Sequence, residues 1–253
     1  MLNGGIMIGG ISVKRIVITL LAFVLFVFTT SAIASSCPLP NVNTDAEIIF
    51  SGFEWYADYS TTLQTATEKG ITNQFDWSRD NFKDDGCLTP HWYTIYNSIN
   101  SFAGSEERCG GYLNYISDIP NVAGYKIDSL KLYMMWNPDN GIVADYTQPD
   151  AVQFYMAKYE FDVSNTEDCY NDLVSKLKTL YGENPITDVY GPISPTTYTC
   201  WVNADKALIG VSYDKYGVNL VYMAPGAEER LLAVEDKVRQ QEIEGAQNDM
   251  TGL

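Results

Sequence analysis

His91 is the only histidine in the chain, which removes every site built from two or more imidazoles, histidine-based zinc sites among them. Cys87 stands four residues before it, in Cys87-Leu88-Thr89-Pro90-His91. On a helix that spacing brings a thiol beside an imidazole, the pairing that cysteine nucleophiles use. Pro90 lies between the two and opposes a helix there, so a structural cysteine and a surface histidine are the expected roles. Neighbouring acids occur at Asp84 and Asp85, Glu106 and Glu107, and Glu228 and Glu229. Glycoside hydrolysis needs two carboxyls a set distance apart in space, and acids adjacent on a loop are normally just solvated. Asp80 to Gly86 (DNFKDDG) supplies oxygen ligands and a glycine without the alternating spacing of a calcium loop. The sequence has neither a glycine-rich phosphate loop nor a G-x-S-x-G elbow. It therefore assigns no catalytic residue, no metal site and no cofactor.

The five cysteines are the remaining reactive groups. Cys87, Cys109, Cys169 and Cys200 fall inside what reads as the folded part, and exported domains oxidise their thiols. Four cysteines allow three pairings. The expected one joins nearest neighbours, Cys87 with Cys109 and Cys169 with Cys200, each bridge contributing about 3 kcal/mol on the chain-entropy model. Cys37 is left over. Ala34-Ser35-Ser36-Cys37 has the small residues of a lipoprotein signal but lacks the usual leucine three positions before the cysteine. A lipidated first residue and a free or intermolecular thiol are the two readings of Cys37.

Export is inferred from the start of the chain. Lys14 and Arg15 precede an apolar run, Ile16 to Phe28, interrupted only by Thr19, which passes into small residues and an A-x-A site at Ala32 and Ala34. Positive flank, apolar segment and small-residue site are the three parts of a secretory signal peptide, with cleavage expected after Ala34. An uncleaved anchor over Ile16 to Ala34 is the alternative, being near the length that spans a bilayer. Cleavage removes two cations and no acid, making the formal charge of −16 two units more negative. Such a surface repels nucleic-acid phosphates and anionic headgroups. Membrane contact is then expected only through a retained signal anchor or a lipidated Cys37. No Asn-x-Ser/Thr acceptor is present, so a bacterial envelope or secreted location fits better than a glycosylating route.

The elements that must position these residues follow from periodicity and punctuation. Residues 35–46 form a polar lead, residues 47–225 a single α+β domain, and residues 226–253 a C-terminal helix and tail. Glu47 to Trp55 is apolar and aromatic enough for a strand. Ser60 is placed to cap a helix through Leu63 and Ala66 that Gly70 closes. Residues 71–111 read as a helical insert: Trp92, Ile95, Tyr96 and Ile99 recur at helical spacing. Leu130 to Trp136 alternates, with Asn137 to Gly141 as its turn, and Val152 to Phe161 is a second strand. Ser164 and Glu167 form a capping box for a helix with Leu173, Leu177 and Leu180 on one face, stopped by Gly182 and Pro185. Tyr198 to Asn203, Ala207 to Tyr213 and Val218 to Met223 read as strands, with Asp214 to Gly217 a hairpin turn. Ala227 to Gly245 reads as a helix that packs its first two turns and then frays, or as a partner-binding arm; Glu235 stands four residues before Arg239. Antiparallel strands with helices packed on one side are the expected fold, with a weak internal duplication starting at Glu47 and again at Val152.

Aromatics are abundant, with 18 Tyr, 5 Trp and 10 Phe. Exposed rings would serve a glycan or peptide ligand, whereas alternate positions in strands assign most of them to packing. Phe50-Ser51-Gly52-Phe53-Glu54-Trp55, Gly124 and Tyr125 before a strand pair, Tyr159 and Phe161, and the helix end Leu180-Tyr181-Gly182 together resemble a loose group of exported proteins and lipoproteins of anaerobic gut bacteria. That group carries F-x-G-x-x-W-G near its start and Leu-x-x-x-Tyr-Gly at a later helix end. This chain has Tyr56 where the pattern has glycine, and the insert at 71–111. The resemblance covers Ile48 to Met223 and implies export and an α+β fold; it brings no site residue. Small duplicated helix-plus-sheet inhibitors and envelope assembly lipoproteins share the layout as topology alone. The expected function is thus a non-enzymatic envelope or secreted protein that binds a protein, peptide or glycan. A carboxylate-based hydrolase of cell-wall or dietary polymer and an accessory lipoprotein are the alternatives.

Overall fold

The computed structural model describes residues 41–71, 74–75, 110–116, 119–143, 145, 147–190 and 196–250. Ala34, Cys37, Cys87, Cys109, His91, the Asp80 to Gly86 segment and the expected helix at 91–102 lie outside the described residues. Within them, eight strands form one antiparallel sheet: β1 (Gln74–Phe75), β2 (Gly110–Tyr115), β3 (Ile127–Trp136), β4 (Val152–Phe161), β5 (Ile186–Tyr190), β6 (Thr196–Val202), β7 (Leu208–Tyr213) and β8 (Val218–Met223). Three helices accompany it, α1 (Tyr59–Glu68), α2 (Thr166–Tyr181) and α3 (Ala227–Met250). The class is α+β, as the alternation of the longer strands implies.

Across the sheet the strands lie in the order β1-β2-β3-β4-β8-β7-β6-β5. Helix followed by a four-stranded meander therefore occurs twice, and the two meanders join along the antiparallel β4–β8 pair. The repeat is real at the level of topology, but its unit begins with a helix rather than a strand. Glu47 to Trp55 is not a strand: Ser51 (φ 41°) and Gly52 (φ 76°) turn the chain back, and Phe53 N–H donates to Phe50 O at 2.8 Å. Consecutive positive φ values at the centre of a turn favour glycine at the second position. The turn sets Phe50 against Phe53, with ring centroids 5.0 Å apart, and against Phe154, Tyr159 and Tyr222 of the sheet. Trp55 stacks on Phe154 at 5.1 Å.

The helices start one or two residues from where the sequence places them. Asp58, not Ser60, caps α1, its carboxylate accepting from Thr61 N–H at 2.7 Å. Asn165, not Ser164, caps α2 by accepting from Asp168 N–H at 3.2 Å. Both substitutes have the short polar side chain that an N-cap needs. Leu173 and Leu177 are buried under α2 together with Cys169 and Tyr170, while Leu180 is 66 % exposed. One face of α2 meets the sheet: Tyr170 OH lies 2.6 Å from the Thr199 hydroxyl, and the Tyr170 and Tyr213 rings are 4.4 Å apart. In α3, burial of Leu231, Val234 and Val238 holds three turns against the body, one more than expected, and Gln241 reaches the β3–β4 connection by accepting from Ile142 N–H at 3.0 Å. Among the described residues no helix is long and apolar enough to cross a membrane.

Candidate functional site

Because side chains alternate along a strand, registered pairs define the two faces of the sheet. Leu130, Leu132, Phe154, Ala157, Tyr159, Leu220 and Tyr222 share the face that carries Phe50. Lys131, Tyr133, Lys158, Glu160 and Asn219 share the other. Register shifts between Ile127 and Ser129 and between Tyr133 and Met134 keep both faces in phase along the β3–β4 pair.

On this second face three charges meet. Glu160 Oε1 accepts from Lys158 Nζ at 2.6 Å and from Lys131 Nζ at 3.1 Å, and Oε2 accepts from the Ser129 hydroxyl at 2.6 Å. The side chains of Lys158, Lys131 and Glu160 retain 14 %, 21 % and 28 % of their exposure, so each ion is largely out of water. Burial alone would raise the Glu160 carboxyl; Lys158, Ser129 and Lys131 together outweigh it and hold it down at about 2. Lys131 also lies over the Tyr112 ring, 5.6 Å from its centroid, and Tyr112 packs on Tyr133 at 5.3 Å. One strand over, Asn114 pairs in register with Lys131, and its buried Oδ1 has no hydrogen-bond partner. The cluster therefore brings ammonium donors and an aromatic ring onto one patch, groups suited to acceptor-bearing ligands.

None of these residues was singled out from sequence. Their signal is a lysine between Leu130 and Leu132 and a Lys-x-Glu pair in an otherwise apolar strand, charges that alternation places on the same face. Of the residues that were singled out, Cys169 and Cys200 are described, and no disulfide joins them. The reason is geometric. Thr199 and Trp201 turn toward α2, with Trp201 Nε1–H donating to Gly182 O at 2.8 Å and its ring 6.3 Å from Tyr181. Cys200 between them points to the opposite face, while Cys169 belongs to α2. Burial first, then the nearby Asp172 carboxylate, push the Cys169 thiol up to about 11, so it stays protonated and inert.

Of the adjacent acids, only Glu228 and Glu229 are among the described residues. Glu228 and Glu229 begin α3, and Glu229 pairs with Lys206 of the β6–β7 turn. Asp58, Asp145, Glu160, Asp172 and Glu229 are all held below their ordinary acidity range by hydrogen bonds or charge partners. A general acid needs the opposite shift. Among the described residues no three of His, Cys, Asp and Glu converge on a metal position. Among the described residues the aromatics lie mainly inward: Tyr115, Tyr133, Tyr155, Tyr159, Tyr170, Tyr198, Trp136 and Trp201 are buried, while Tyr216 is 79 % exposed. No protein-family model, no curated protein and no solved structure matches the chain.

Proposed function

We propose that the chain is an exported, non-enzymatic binding protein of the bacterial envelope or its surroundings, and that it holds a protein, peptide or glycan partner on the sheet face carrying Lys131, Lys158 and Glu160. The Lys158–Glu160–Lys131 cluster carries this reading. Burying two cations and an anion on a sheet face costs more than an apolar patch of the same size would, and the fold gains no extra helix cap, turn or strand from it. A ligand with acceptor groups uses the ammonium protons that Glu160 leaves over: each lysine has three, and Glu160 takes one from each. Export is supported by the charged, apolar and small-residue segments that end at Ala34.

The test places a photoreactive amino acid at Asn219, which pairs in register with Glu160, and, as control, at the exposed Tyr216, in chain secreted by an envelope-bearing host. A discrete adduct from position 219, absent from position 216 and lost with Lys131→Gln plus Lys158→Gln, supports the reading. Equal adducts from both positions, or none from 219, overturn it.

A further inference from the structure

Among the described residues, the arrangement around Glu160 holds two cations against one carboxylate. Lys131 and Lys158 face each other in register across β3 and β4, and both ammonium groups contact the same carboxylate oxygen, at 3.1 and 2.6 Å. Their nitrogens thus lie within about 6 Å of one another, a distance at which like charges in a largely dehydrated setting disfavour double ionisation. The other described neighbours on this face supply no second anion. Val221 of β8, opposite Lys158 in register, is apolar, Met156 precedes it on the same face, and Ser129 is neutral and already donates to Glu160. Lys158 is the more buried of the two amines, so dehydration opposes its charge more strongly.

We infer that Lys158 is a nucleophilic amine, a site that adds small aldehydes because it shares Glu160 with Lys131. Burial lowers the pKa of Lys158, Glu160 works against that, and Lys131 lowers it further, with a net downward shift. Neighbouring cations and dehydration are the two means by which proteins activate a lysine. The chemistry balances without an oxidant or reductant. The ammonium gives one proton to solvent, the free nitrogen pair bonds to the carbonyl carbon, and the carbinolamine loses water as the C=N bond forms. Hydrolysis returns both partners. This goes beyond the binding role and does not depend on it.

The experiment is reductive methylation of the full native chain at pH 7.5 with limiting deuterated formaldehyde and cyanoborohydride, read residue by residue from peptide masses. Lys158 is expected to be modified several-fold faster than Lys126 or Lys206, because a depressed pKa leaves more of the free amine at pH 7.5. Those two make good references because hydrogen bonds to Asp162 and Glu229 raise their pKa values. Lys131→Gln should bring Lys158 down to the reference rate, and Glu160→Gln should raise its rate, with circular dichroism confirming that each variant is folded. Modification of Lys158 no faster than Lys206 in the native chain overturns the inference, as does a fast rate that Lys131→Gln leaves unchanged. If a variant fails to fold, the pH dependence of the Lys158 rate in the native chain decides. A midpoint below that of Lys206 supports the inference, and one at or above it overturns it.

Discussion

Glu160 is the residue on which pH dependence should concentrate. Its folded pKa of about 2 lies below its unfolded value near 4.5. A depressed carboxylate contributes stability that is fully present above the unfolded value and is lost as pH falls toward the folded one. The window is therefore about pH 4.5 to 2. The exposure that remains screens the charges in part, so a contribution of about 1–2 kcal/mol is expected rather than the full linkage value. Urea midpoints at pH 7 and pH 3 check this: Glu160→Gln should be less stable than the parent at pH 7, and the gap should narrow at pH 3. A gap that holds constant would place the stabilisation elsewhere. Cys169 makes a second residue-scale case. Buried and pushed up to about 11, it should resist iodoacetamide at pH 8 in the native chain and react in urea without any reductant. A peptide mass linking it to the Cys200 peptide would contradict the side-chain directions along β6.

The β2–β3 pair depends on a single hydrogen atom. A Cβ built at Gly110 would sit 2.0 Å from Met134 O and 2.8 Å from Met135 Cα, both backbone, so Gly110→Ala must push the strands apart. A loss of about 2 kcal/mol or more is expected, at the scale of overpacking. Gly217→Ala is the control, since nothing lies within 4 Å of its Cβ; it should leave the urea midpoint nearly unchanged. The outer strand β5 shows another device. Val189 N–H donates to Asp188 Oδ1 at 2.7 Å, and Tyr198 OH donates to Oδ2 at 3.3 Å. An acid folded onto the backbone of an edge strand opposes pairing with another chain, and Val189 beside it is 58 % exposed. Asp188→Ala should increase light scattering of concentrated protein on mild heating, with the thermal midpoint little changed. The sequence revealed β3, β4, β6, β7 and β8, and Val218 to Met223 matches to the residue. Val152 to Phe161 matches to the residue, because an apolar and aromatic run between clear turns leaves little choice. Strands β2 and β5 escaped: Gly110 and Gly111 suppress strand propensity in the first, and Asp188 in the second, while β1 has two residues that only their partner strand holds in place. The Lys158–Glu160–Lys131 site was illegible for a related reason. Alternation assigns those residues to a face, but only the register of β3 on β4 brings them together.

The two meanders share more than the β4–β8 seam. The segment before α1 crosses between them: Asn43 bonds β6 by donating to Cys200 O at 3.1 Å and accepting from Val202 N–H at 2.7 Å. Seven residues on, Phe50 packs on Tyr159 of β4 at 5.7 Å and on Tyr222 of β8 at 5.2 Å. Helix α3, which follows the second meander, returns to the first. Arg230 donates to Gln153 Oε1 of β4 and lies over the Tyr56 ring, whose hydroxyl donates to Pro225 O. Neither half can open without stripping buried aromatic surface from the other, and such shared surface makes unfolding all-or-none. The tryptophans can report this separately, since Trp55 and Trp136 belong to the first half and Trp201, buried between β6 and α2, to the second. In urea, a chain keeping only Trp55 and Trp136 and a chain keeping only Trp201 should each show a single fluorescence transition coincident with its own circular dichroism. Replacing Phe50 by alanine removes a ring that touches both halves and should cost about 3–5 kcal/mol, moving both reporters down together. Separation of the two transitions in that variant would make Phe50 the coupling itself. Separation already in the parent would mean that the duplicated halves unfold as independent units despite their continuous sheet.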